Sequence, residues 1–230
     1  MGLLDYLFYF SEILAAVSGV VYIKYLKAKA SRYFVFFLCV TVLVETFGML
    51  SMSFDEWYFL DSYRDSRFIS NNYWLYNFYY LFNYAVYALF FRTYLIDHKK
   101  RNYLGLLVLI YLVTSFINLM FSGVLFESYS SFNTIFGTFL ILISVFLYFY
   151  EMLKSDKILK FYKNIEFYVA TGALIFHLCT TPLFIYSKYF KEENDDFLSV
   201  YYFVLPLAII FMYSCYTIGF IVCLKKNKYF

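Results

Sequence analysis

Apolar runs, cut by short connections that hold most of the charge, recur seven times along this chain. A helix rising about 1.5 Å per residue crosses the roughly 30 Å hydrocarbon core of a bilayer in about 20 residues. The pattern therefore predicts seven transmembrane helices, at 3–23, 33–52, 73–91, 103–121, 132–150, 165–186 and 198–224. The third departs from the others, because Asn72, Asn77, Asn83 and its tyrosines form a polar stripe that a helix facing lipid would not carry.

Charge sets the orientation. Fifteen of the 19 Lys and Arg residues fall on alternate connections. They are Lys24, Lys27, Lys29 and Arg32, then Arg92, Lys99, Lys100 and Arg101, then Lys154, Lys157, Lys160 and Lys163, and finally Lys225, Lys226 and Lys228. The intervening connections hold only Arg64, Arg67, Lys188 and Lys191. Basic residues stay on the cytoplasmic side, so the N-terminus is expected outside and the C-terminus in the cytoplasm. One helix too many or too few would spread the basic connections over both sides. The expectation is an all-α integral membrane protein, residues 1–230 forming a single seven-helix transmembrane domain.

Composition removes other classes. With 63% hydrophobic and 15% charged residues, the chain cannot hide its apolar surface as a soluble domain, which excludes a soluble enzyme, a nucleic-acid binder and a disordered scaffold. Asp5 stands where a signal peptide would be basic, so the first run reads as a retained helix. Tyr6 breaks a myristoylation pattern, and no prenylation Cys ends the chain. Cys39, Cys179, Cys215 and Cys223 all fall inside spans and read as small hydrophobes. The cytoplasmic connections are too short for a catalytic or nucleotide-binding domain. The acidic run Glu192, Glu193, Asp195, Asp196 lacks the alternating spacing and Gly of a calcium loop and reads as a solvated turn.

Ionisable groups at membrane depth cost roughly 2.5 to 3.5 kcal/mol each on insertion scales and mark functional sites by default. Three are expected there: Glu12, Glu45 and His177. Counted from the outer helix ends they sit about 13, 10 and 13 Å down, at a similar level. Small and polar neighbours place each on an inward face: Ser11, Ala15, Ser18 and Gly19 beside Glu12, Thr41 and Gly48 beside Glu45, and Ala170, Ala173 and Thr180 beside His177. Tyr76, Tyr80, Asn83 and Tyr87 add a stripe from the third helix. Pro182 and Pro206 free carbonyls four residues back and can kink the sixth and seventh spans.

The candidate ligand-binding or proton-linked residues are thus Glu12, Glu45, His177, Asn83, Tyr76 and Tyr80. Zinc would suit two carboxylates and an imidazole, but only two histidines are present and no HExxH pattern occurs, so neither a metal nor a cofactor is expected. Proton-coupled transport is one reading of such a cluster; helix packing through hydrogen bonds from a protonated Glu to His, Tyr or Asn is another. No GxSxG elbow and no acidic-protease pair is present, and the last span lacks the Lys that a retinal Schiff base needs.

The second helix ends in Glu45, Thr46, Phe47, Gly48, the third opens with Asn72, Tyr73, Trp74, Leu75, Tyr76, Asn77, and the sixth carries Gly172 followed by Ile175, Phe176 and His177. In these features the chain resembles the stand-alone seven-span membrane proteins of bacteria encoded beside two-component histidine kinases, and the seven-span sensory regions fused to some of those kinases. That resemblance implies a non-enzymatic sensory or signalling accessory subunit of a bacterial cytoplasmic membrane, with a separate histidine kinase or another membrane protein as partner; the apolar composition itself adds the lipid bilayer and leaves no nucleic acid as partner. The alternatives are a proton-coupled transporter or channel and a structural or defence-type membrane effector. Tyr33, Tyr73, Tyr103, Tyr186 and Tyr201 lie near helix ends, where interfacial tyrosine needs no further role.

Overall fold

The computed structural model describes residues 3–26, 28–53, 71–186 and 195–227. The acidic run and the charged connection around Trp57 fall largely outside them, as do the side chains of Asp5, Tyr186 and Cys223. Each apolar run becomes one long helix. In chain order these are α1 (Leu3–Tyr22), α2 (Lys29–Ser53), α3 (Tyr73–Arg92), α4 (His98–Phe121), the single turn α5 (Val124–Glu127), α6 (Ser131–Leu153), α7 (Ile165–Tyr186) and α8 (Asp195–Asn227). Short 3-10 segments occupy Ile23–Tyr25 and Asp156–Lys163. No strand occurs among the described residues.

Among the described residues six helices are long and apolar enough to cross a membrane: α1, α2, α4, α6, α7 and α8. The chain is therefore a multi-pass helical membrane protein. Its outer faces carry the belt such a protein needs, with Tyr33, Phe36, Leu43, Leu106, Leu109 and Phe146 exposed. The difference from seven lies in α3, whose Asn and Tyr residues lower its hydropathy. Those residues turn inward: Asn77, Tyr84 and Tyr87 are buried along with Leu81, Ala85, Ala88, Phe90 and Phe91.

Helix α1 packs on α2 and α8, α2 on α3, α3 on α6, α6 on α7, and α7 on α8. These six helices close a ring, and α4 lies outside it against α3 and α6. Small residues permit the close approaches: Ala15, Ala16, Ala170 and Ala173 are buried on α1 and α7, the two helices that flank α8. At Gly137 of α6 a Cβ would collide with the Tyr84 ring, so the aromatic side chain of α3 sits on bare backbone.

The two ends of the ring are tied differently. At one end Asn77 anchors the α4–α6 connection, its amide donating to the carbonyls of Ser128 (2.9 Å) and Leu125 (3.3 Å) and its oxygen accepting from Ser130 N–H (3.0 Å). Asn72 donates there to the Gly48 carbonyl at 2.9 Å. At the other end the buried carboxylate of Glu151 accepts from the backbone N–H groups of Ile96 and Asp97 and meets Lys100 Nζ at 3.4 Å. Asp97 caps α4 by accepting from Lys99 N–H at 2.8 Å. That backbone donor holds the Asp97 carboxyl below its ordinary value.

Candidate functional site

The ring of six helices encloses a cavity of about 590 Å³, within the roughly 300–1,000 Å³ range of small-molecule sites. Every ring helix contributes to its wall, and α4 contributes nothing among the described residues. On α3 the lining runs from Tyr76 to Tyr87, about 16 Å along the helix axis. Near the Tyr76 end the wall includes Tyr129, which is 48% exposed and so stands at the surface.

The opposite end is closed. Tyr87 and Tyr216 share a hydroxyl–hydroxyl bond of 2.7 Å, and Phe34 meets both rings edge-on at 5.6 and 5.5 Å. Phe34 and Tyr216 are at most 1% exposed and lie behind the lining. Among the described residues this packing of α2, α3 and α8 makes a floor to the cavity.

All six candidate residues, Glu12, Glu45, His177, Asn83, Tyr76 and Tyr80, line this one cavity. Glu12 and His177 are buried, and Glu45, Tyr76, Tyr80 and Asn83 half-buried; Ser11, Ala15 and Ser18 of α1, Thr41 and Gly48 of α2, and Ala170, Ala173 and Thr180 of α7 are buried on the same small-residue faces as Glu12, Glu45 and His177. Glu45 accepts a hydrogen bond from Tyr76 Oη at 2.9 Å. The contact depends on Gly48, since a Cβ there would collide with the Tyr76 hydroxyl. Asn83 starts a directed chain, its amide donating to Tyr79 Oη (3.0 Å), which donates to Thr41 Oγ1 (2.9 Å), which donates to the Phe37 carbonyl (3.1 Å).

Glu12 differs from these. It is 3% exposed, lines the cavity, and its Oε1 has no hydrogen-bond partner among the described residues. Glu45, on the neighbouring helix α2, lines the same cavity. His177, on α7, packs its ring against Tyr84 (5.7 Å between centroids) and Phe176 (5.0 Å). Among the described residues no three of His, Cys, Asp and Glu converge on a point that could hold a metal ion.

Several wall residues escaped the sequence reading. Tyr201 was assigned to the membrane interface, yet it lines the cavity with Leu205, Ile209, Met212 and Tyr213 of α8. The spacing of 201, 205, 209 and 212 was the available signal, a single helical face. Tyr129, from the connection before α6, meets Tyr76 at 6.2 Å and Tyr80 at 6.5 Å between ring centroids. Nothing in the sequence links Tyr129 to α3. No protein-family model, curated protein or solved structure matches this chain, so its function has to be read from the chemistry of the cavity.

Proposed function

We propose that this chain is a non-enzymatic sensory subunit of a bacterial cytoplasmic membrane, which binds a small ligand from outside and passes the event to a separate histidine kinase. The observation that carries the reading is the blind cavity: six helices converge on a pocket of ligand size whose far end is plugged by Phe34, Tyr87 and Tyr216. A plugged pocket suits binding and helix rearrangement better than conduction. Helix α3 is the seventh span. Its 20 residues cover about 30 Å, and its polar groups are spent on the cavity and on neighbouring helices.

The described basic positions of the α1–α2, α3–α4 and α6–α7 connections lie at the plugged end, and under the positive-inside rule this supports a cavity mouth that faces outward. A ligand that binds two helix arrangements unequally shifts their populations, and the basic connections present the change to the kinase or to anionic lipid.

The test is purification from native membranes, followed by kinase autophosphorylation assays in vesicles. A histidine kinase is expected to copurify. Glu45→Gln is expected to leave the chain folded and inserted while abolishing the kinase's response to external medium components. Normal signalling in that variant, or proton or substrate flux through the purified protein in liposomes, overturns the reading.

A further inference from the structure

We propose that the cavity selects an organic cation, with an ammonium group held between Glu12 and Glu45 and an apolar or aromatic body lying on the tyrosine wall of α3. The inference rests on the cavity being the ligand site, as proposed above, and goes on to name the ligand's chemistry.

Charge is the first ground. The cavity wall carries two carboxylates, while no Lys or Arg lines it among the described residues. The remaining ionisable side chains on the wall are the imidazole of His177 and tyrosine phenols. An anionic ligand would meet two acidic side chains and no compensating cation. A neutral ligand would leave both acidic groups without a counter-charge.

The second ground is the unmet hydrogen bonding of Glu12. Its Oε1 is buried without a partner among the described residues, and a buried carboxylate oxygen in that state is costly unless a donor reaches it. Glu45 is different, because Tyr76 already donates to its Oε2. The empty acceptor therefore lies on Glu12, with Glu45 as the supporting charge. An ammonium N–H donates to Glu12 Oε1; a quaternary ammonium compensates the charge without that bond and would be the weaker of the two.

The third ground is the ring arrangement. Tyr76, Tyr80 and Tyr129 stand with centroids 6.0 to 6.5 Å apart and mixed tilts, Tyr76 and Tyr80 near-stacked and Tyr129 edge-on to both. Such clusters present aromatic faces and edges into one space, the arrangement that attracts cations and packs flat apolar bodies. With Glu45 bonded to Tyr76, the carboxylates and the rings form one continuous wall.

The experiment uses the full chain in lipid nanodiscs, with the four cysteines replaced by Ala and a single thiol introduced by Thr134→Cys on the α6 wall. Modification rates are compared for the cationic reagent trimethylammonioethyl methanethiosulfonate and the anionic sulfonatoethyl methanethiosulfonate, each divided by its rate with a free thiol in solution. A cleft lined by one sign of charge concentrates the opposite ion by about tenfold or more, so a preference of at least about tenfold for the cation is expected. Phenethylamine should slow the modification and 3-phenylpropionate should not. In Glu12→Gln/Glu45→Gln the thiol should still react, with the preference and the protection lost. Equal normalised rates, or equal protection by both probes, overturn the cation assignment and leave the cavity reading standing. A Thr134→Cys thiol that reacts with neither reagent, while Ser122→Cys on the exposed turn after α4 reacts with both, overturns the cavity reading and the assignment together.

Discussion

Asn77 looks from sequence like one more polar residue in a doubtful span, yet its side chain closes the α4–α6 connection with donor and acceptor bonds at once. Replacing it by Leu removes the amide and leaves the buried Ser130 N–H and the Ser128 carbonyl without it. Each such orphan costs about 1–3 kcal/mol, so Asn77→Leu should lose roughly 3 kcal/mol of stability, measured by thermal unfolding in detergent, although Leu is the more apolar residue. A wild-type melting temperature would show that water replaces the amide. Gly137 makes the opposite case. Alanine gains about 1 kcal/mol over glycine in a helix, but the Tyr84 ring occupies the space its methyl would need. Overpacking costs about 1–3 kcal/mol, so Gly137→Ala should destabilise in the same assay, and the combined Gly137→Ala/Tyr84→Leu variant should recover part of the loss.

At the scale of elements, helix positions were legible because apolar runs and basic connections mark bilayer crossings directly. The bounds of α7 coincide with the apolar run at 165–186, and α1 differs by one residue at its end. What escaped was structure whose cause lies outside its own segment. The turn α5 is held by amide groups of Asn71 and Asn77 reaching across from the start of α3. The 3-10 segment Asp156–Lys163 occupies a basic connection that sequence reads only as charge, yet Leu159 is 74% exposed beside the Lys residues, the mixture expected of a segment lying at the membrane interface. For the site, the carboxylates, His177 and the Asn83 face were legible because polar groups inside an apolar run are conspicuous. The wall supplied by α8 was not, since Leu205, Ile209 and Met212 are what any membrane helix contains, and only the closing of the ring turns them inward.

For the molecule as a whole, the proposed ligand near Glu12 would have to be felt at the far end of the bundle. The floor is the connecting element. Tyr87 lines the cavity on one side and bonds to Tyr216 of α8 on the other, while Phe34 of α2 packs on both rings and Phe90, one helical turn further along α3, packs on Phe34 at 4.9 Å and on Tyr94 at 5.1 Å. Tyr94 in turn shares a 2.7 Å hydroxyl bond with Ser31 at the start of α2, beside the basic connections. A continuous set of packed rings thus joins the cavity to the charged end, the contiguous contact through which a population shift of the proposed kind would travel. Tyr87→Phe removes one hydroxyl, keeps the ring and leaves Tyr216 without that partner. It should cost about 1–2 kcal/mol in stability while preserving protection of Thr134→Cys by phenethylamine. The kinase response should be lost or strongly reduced, which would separate binding from transmission. A Tyr87→Phe protein that binds and signals like the parent would mean the floor only plugs the cavity and that the signal leaves along another face of the ring.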